Sequence, residues 1–162
     1  MKIRRFEELQ CWQEARVLVN LVYGAIRNSL EFRKDFRLSG QITGAAVSSM
    51  SNIAEGFSRR SNREFIQYLF ISKSSATEVQ SVAYVALDQK YISDDIFDKI
   101  YNQAEKVSKI NSGFITYLLQ KEKKPNKPNK LNKPDELNKP NKLNKPNELN
   151  KPNELNKPAK LK

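Results

Sequence analysis

Residues 48–69 read Ser-Ser-Met-Ser-Asn-Ile-Ala-Glu-Gly-Phe-Ser-Arg-Arg-Ser-Asn-Arg-Glu-Phe-Ile-Gln-Tyr-Leu, and the topology of the chain turns on this junction. Gly56 follows Glu55 at the place where a left-handed residue would close a helix. Ser61-Asn62-Arg63-Glu64 has the pattern of a capping box, with Ser61 as N-cap and Glu64 reaching back. One helix is therefore expected to end at about Glu55 and another to begin at about Asn62. A connection this short makes the two antiparallel neighbours.

Working outward, apolar residues recur at helical spacing on both sides. Upstream of the junction, Leu38, Ile42, Ala45 and Ile53 mark the inward face of a helix over about Phe36–Glu55, whose centre is small and polar: Ser48, Ser49, Ser51 and Asn52. Downstream, Phe65, Leu69, Ala76, Val79, Ala83 and Ala86 predict a helix over about Asn62–Gln89. Trp12, Ala15, Val19, Val22 and Ile26 predict an earlier one over about Phe6–Asn28. Phe97, Ile100, Ala104, Val107, Asn111, Phe114 and Leu118 predict a last one over about Asp94–Leu119, with Ser93 as its cap and two acids at the positive end of its dipole. Every proline lies at Pro125 or later, so nothing upstream breaks these helices. The expected fold is all-α: an antiparallel up-down-up-down four-helix bundle over residues 1–120, followed by a disordered C-terminal tail over 121–162.

The tail stands apart by composition. From Pro128 it runs in units of six residues set by proline, such as Pro-Asn-Lys-Leu-Asn-Lys, with one leucine per unit. Units so short and so polar bury almost nothing against one another, and a Lys/Asn/Pro-rich segment of this kind cannot offset the entropy of ordering. The tail also carries most of the charge. Its 13 lysines and 5 acids account for +8 of the net charge of +11, leaving +3 for residues 1–120.

Histidine is absent and Cys11 is the one cysteine. This excludes Cys/His zinc sites, Ser-His-Asp or Cys-His pairs, and an intrachain disulfide. No Gly-rich phosphate loop is present, so the expectation is no enzyme, no metal and no cofactor. Cys11 reads as a small core residue. The opening Met-Lys-Ile-Arg-Arg-Phe is charged, and no run approaches the ~18 apolar residues of a membrane span. The expected location is the cytoplasm, with no membrane partner.

In an up-down bundle the N-terminus, the connection between the second and third helices, and the C-terminus share one end. That end collects Lys2, Arg4, Arg5, Arg59, Arg60, Arg63, Lys121, Lys123 and Lys124 against Glu7, Glu8, Glu55, Glu64 and Glu122, a balance of +4, whereas the opposite end balances to zero. Arg4, Arg5, Arg59, Arg60 and Arg63 are the candidate nucleic-acid-binding residues, because guanidinium forks suit phosphate geometry. Surface charges held in solvent with no partner are the alternative. Asn52 and Glu55, three apart on a helix, read as structural, with Asn52 satisfying backbone or neighbouring groups and Glu55 meeting an arginine or serine. Helix three packs Phe65, Ile66, Tyr68, Leu69, Phe70 and Ile71 into seven residues, and helix one adds Val17, Leu18 and Leu21. One face cannot hold them all, which points to a subunit interface, with stacking on bases as the alternative.

Asn52-Ile53-Ala54-Glu55-Gly56 in this register, with Ser61-Asn62-Arg63-Glu64-Phe65 after it, resembles the signature of the bacterial four-helix-bundle family encoded in 23S rRNA intervening sequences. That family is related to the accessory variability determinant protein of diversity-generating retroelements. Phe6-Glu7-Glu8-Leu9 with Trp12, Ala45-Ala46-Val47-Ser48, and Ala86-Leu87-Asp88-Gln89 extend the resemblance over about Arg5 to Leu118. It implies a bundle that assembles as a homopentamer, with no established catalysis and with RNA or DNA, or a protein, as partner. Asn52, Glu55 and Gly56 form its structural motif. Thr43-Gly44 stands where many members carry two arginines, and Ser74 replaces a common glycine. Two function classes remain: a self-associating protein that binds nucleic acid through a basic end, and an oligomeric protein-interaction scaffold that does not.

Overall fold

The computed structural model describes residues 3–123, and every regular element among them is helical. A single 3-10 turn, Phe6–Glu8, leads into α1 (Gln10–Asn28), α2 (Leu30–Lys34), α3 (Phe36–Phe57), α4 (Asn62–Asp88) and α5 (Asp94–Lys123). The four long helices pack in a ring: α3 on α4, α4 on α5, and α1 on both α3 and α5. Cross-helix pairs run in opposite senses along each neighbour, Ser48 with Ser75 and Glu55 with Tyr68, Ser72 with Asn111 and Gln80 with Tyr101. This is the antiparallel bundle that the short connections predict. Among the described residues no helix is long and apolar enough to cross a membrane. The expectation for the tail lies outside the described residues, apart from its first three, which continue α5.

Local chemistry sets the boundaries. The Ser61 hydroxyl accepts from the Glu64 N–H at 3.2 Å and donates to the Glu64 carboxylate at 2.7 Å, so the two caps bond to each other rather than Glu64 reaching the backbone. Asp35 accepts from the Leu38 N–H at 2.9 Å and starts α3. Ser29 does the same for the short α2 through Phe32, a helix too brief for periodicity to reveal. The first helix begins at Gln10 rather than Phe6, because Leu9 takes an extended conformation between the 3-10 turn and α1.

The left-handed residue expected at Gly56 is elsewhere. Gly56 is helical, and α3 continues through Phe57. The one non-glycine residue with positive φ among those described is Lys90, at 59°. There the Tyr91 N–H reaches the Ala86 carbonyl and the Lys90 N–H reaches the Leu87 carbonyl, the paired bonds of a Schellman closure at the end of α4. Gly56 serves a different need. A Cβ at this position would stand 2.6 Å from Tyr68 Cβ and 2.7 Å from Phe65 Cδ2, so only glycine lets α3 and α4 approach this closely.

The core stripes follow the apolar periods on α3, α4 and α5. On α1 the buried line is Cys11, Ala15, Leu18, Val22 and Ala25. Leu18, expected among the outward excess, is fully buried, while Trp12 is half-buried and packs edge-on against Phe6 at 5.1 Å. Cys11 is buried, and burial pushes its thiol up to about 11. At mid-height the small polar residues become a hydrogen-bonded seam. Ser72 donates to the Ser49 carbonyl at 2.6 Å and accepts from Asn111 Nδ2 at 2.9 Å. Asn52 donates to the Ser48 carbonyl at 2.7 Å and to its hydroxyl at 3.0 Å.

Candidate functional site

The end of the bundle formed by the N-terminal turn, the α3–α4 connection and the last turns of α5 holds a groove of about 520 Å3. Its lining brings Ile3 from the N-terminus together with Arg59 and Arg60 from the connection and Lys121 from α5. Three segments distant in sequence therefore meet at one surface, as the up-down order requires. Lys2 and Lys124 lie outside the described residues.

The candidate arginines are not equivalent. Arg59 forms an ion pair with Glu55, one helical turn back, and hydrogen-bonds the Tyr68 hydroxyl. Its guanidinium also sits 4.8 Å from the Tyr68 ring centroid, a cation–π placement. Tyr68 in turn donates to the Glu55 carboxylate at 2.9 Å. The Glu55 hydrogen bond holds the Arg59 pKa above its ordinary value. Glu55 thus meets an arginine as its place in the sequence suggests, and Tyr68 is the partner that sequence reasoning missed. Its signal was available: in an antiparallel pair joined by a four-residue connection, Tyr68 falls opposite Glu55.

Arg5 is ion-paired with Glu7 at 2.6 Å. The backbone N–H of Arg4 donates to Glu8 at 3.1 Å, which leaves its side chain out of that bond. Arg60 and Arg63 are exposed, and among the described residues neither has an ion-pair partner. Arg63 stands in the first turn of α4 but does not line the groove. At the opposite end Lys34 pairs with Glu31 and Lys99 with Asp95, while Arg27, Arg33, Arg37 and Lys90 have no ion-pair partner among the described residues. The two ends therefore differ in net charge, because the acids at the opposite end equal its cations in number.

Asn52, Glu55 and Gly56 share α3 but act separately. Asn52 ties to Ser48, Glu55 orients Arg59 and Tyr68, and Gly56 sets the helix separation at the groove wall. At Thr43-Gly44, where the resemblance leads one to expect two arginines, Thr43 bonds back to the Ser39 carbonyl at 2.7 Å and Gly44 is exposed. Among the described residues no cluster of His, Cys, Asp and Glu is arranged to hold a metal ion.

A family model described as 23S rRNA-intervening sequence protein matches residues 7–113. Among solved structures, the chain resembles the crystal structure of a protein with unknown function from the S23 ribosomal protein family of Bacteroides thetaiotaomicron. The two are 21% identical with a TM-score of 0.60, and the match covers 65% of this chain and 97% of that one. At that identity the likeness concerns the fold. No curated protein matches the chain.

Proposed function

The chain belongs to the 23S rRNA-intervening sequence protein family, and from that premise we propose that it is a non-enzymatic, cytoplasmic bundle protein that self-associates and binds nucleic acid through its groove end. The observation that carries this reading is the charge balance of that end, +4 by sequence against zero at the opposite end, with Arg4, Arg60, Arg63 and Lys121 there without ion-pair partners among the described residues. Cations left uncompensated on one surface attract phosphates, and counterion release makes such binding salt-dependent. Arg59 contributes less, because Glu55 already balances it.

The test is binding of a labelled oligonucleotide to the full chain across a salt series. Arg60→Gln with Arg63→Gln should flatten the slope of log K against log[salt] by roughly 1 to 2 per engaged subunit, at about 0.7–0.9 per phosphate contact. An unchanged slope would place the contact off this end, on the basic tail, and leave the scaffold reading ahead.

Self-association is supported by apolar side chains that the single bundle leaves exposed. Ile71 and Val85, fourteen residues apart and so on one face of α4, are both exposed, as are Phe70 and Tyr84. We expect light scattering to give a mass above the monomer at tens of micromolar, and Ile71→Glu with Val85→Glu to reduce it. A homopentamer is the state the resemblance favours. A monomer mass for the unaltered chain refutes self-association without touching the nucleic-acid reading.

A further inference from the structure

The groove is more than a patch of charge. Its wall carries a continuous row of aromatic rings contributed by three helices: Phe57 from α3, Phe65 from α4, and Phe114 and Tyr117 from α5. Phe57 meets Phe65 edge-on at 6.2 Å, Phe65 meets Phe114 edge-on at 5.3 Å, and Phe114 stacks on Tyr117 at 6.2 Å. Phe65 is buried at the base, Phe57 and Phe114 are half-buried, and Tyr117 is 51% exposed. Cations border the same space. Arg60 lines it without an ion-pair partner among the described residues, and Lys121 Nζ lies 5.3 Å from the Tyr117 ring centroid. The volume, about 520 Å3, is within the range of sites that hold small organic groups, about 300–1,000 Å3.

We propose that this groove receives an unpaired nucleotide of a single strand, its base against the aromatic row and its phosphate on Arg60 and Lys121. The inference rests on the nucleic-acid reading above and narrows it from a polyanion to a strand with exposed bases. A cationic rim alone would accept any phosphate, and an apolar wall alone any apolar group. Set side by side, they match a ligand that joins a flat π-surface to an anion through a short linker, which is the plan of a nucleotide. A duplex keeps its bases stacked on one another and offers only its backbone here, whereas a single strand can turn a base onto an aromatic side chain. Gly56 takes part by omission, since its missing side chain keeps Phe57, Phe65 and the wall between them close-set.

The test compares the full chain's affinity for oligothymidylate and for an abasic strand with the same number of phosphates. The basic tail has no aromatic residue after Tyr117, so it attracts both strands alike and cannot by itself produce a ratio above one. The base-bearing strand should bind at least about tenfold tighter, as expected for stacking of one or more bases. Tyr117→Ala and Tyr117→Leu, both at an exposed position, should each bring the ratio to within about threefold while helicity is retained. Equal affinity of the unaltered chain for both strands overturns the inference and leaves the electrostatic reading standing. Binding of neither strand overturns the electrostatic reading itself. A ratio that survives both Tyr117 substitutions removes the aromatic row from the site. If those variants do not fold, the ratio of the unaltered chain still decides.

Discussion

Gly56→Ala should destabilise the bundle although alanine is the better helix former. The added methyl would stand 2.6 Å from Tyr68 Cβ and 2.7 Å from Phe65 Cδ2, against about 3.5–4.0 Å for an ordinary carbon–carbon contact. The Phe65 ring can turn aside, but Tyr68 Cβ is fixed to the backbone of α4, so relief requires the two helices to separate by about 1 Å at this level. That movement loosens the edge-on packing of Phe57 on Phe65 and draws Tyr68 away from Glu55 and Arg59. Overpacking of this kind costs about 2–3 kcal/mol, the upper part of its usual span, while the propensity gain over glycine returns about 1 kcal/mol. The net loss of about 1–2 kcal/mol corresponds to a midpoint lower by roughly 4–8 °C for a domain of this size. Gly40→Ala is the matched control, since nothing lies within 4 Å of a Cβ there. In that case only the propensity term acts, and the midpoint should rise by the equivalent of up to about 1 kcal/mol. Both are read by far-UV circular dichroism at one fixed protein concentration, because the proposed self-association would make the midpoint concentration-dependent. Gly56→Ala melting at or above the unaltered chain would refute the close-approach account.

Three further outcomes follow from single sites. Lys90→Gly should stabilise the chain by up to about 1 kcal/mol, since Lys90 holds a left-handed conformation that disfavours a side chain; a lower denaturation midpoint would contradict this. Ser72→Ala should cost about 1–3 kcal/mol by leaving the buried Asn111 amide without its acceptor, while Ser74→Ala at an exposed neighbouring position should stay within about 0.5 kcal/mol, and equal effects from the two would dissolve the seam. For Cys11 the folded thiol is pushed up to about 11, so above the ordinary thiol range the unfolded chain releases its proton first and stability falls as pH rises. Between pH 8 and pH 10 the unaltered chain should lose about 1–2 kcal/mol more than Cys11→Val does, and parallel pH profiles for the two would show that the thiol is not held neutral by burial.

Much of the architecture was legible in advance because it is encoded locally. Helical periods, the Ser61 cap and the two acids opening α5 each depend on residues within a turn or two of one another, and the structure places them as expected. The errors share one cause. Gly56 after Glu55 has the local form of a helix end, yet the helix runs on, because the demand on Gly56 comes from α4 and not from its own chain neighbours. Lys90 shows the converse: a left-handed turn at a residue whose type gives no sign of it, held by the return of the chain from Leu87 to Tyr91. On α1, Trp12 and Leu18 lie at angles that both fit an inward face, and the choice of Leu18 as the buried one belongs to how α1 is rotated against α3 and α5.

The same division separates the charge at the groove end from the groove. Sequence alone determined that Arg4, Arg60, Arg63 and Lys121 share one end, because short connections dictate antiparallel order and antiparallel order dictates which termini meet. It determined the small polar character of α3 and the contrast between bundle and tail. Only the tertiary structure decided that Arg59 stacks on Tyr68, that Ser72 joins Ser49 to Asn111, and that four aromatic rings from three helices form one wall beside Arg60 and Lys121. Each of these depends on the rotation of a helix about its axis and on its distance from the next, quantities set by the packing of all four helices at once and written in no short stretch of the chain.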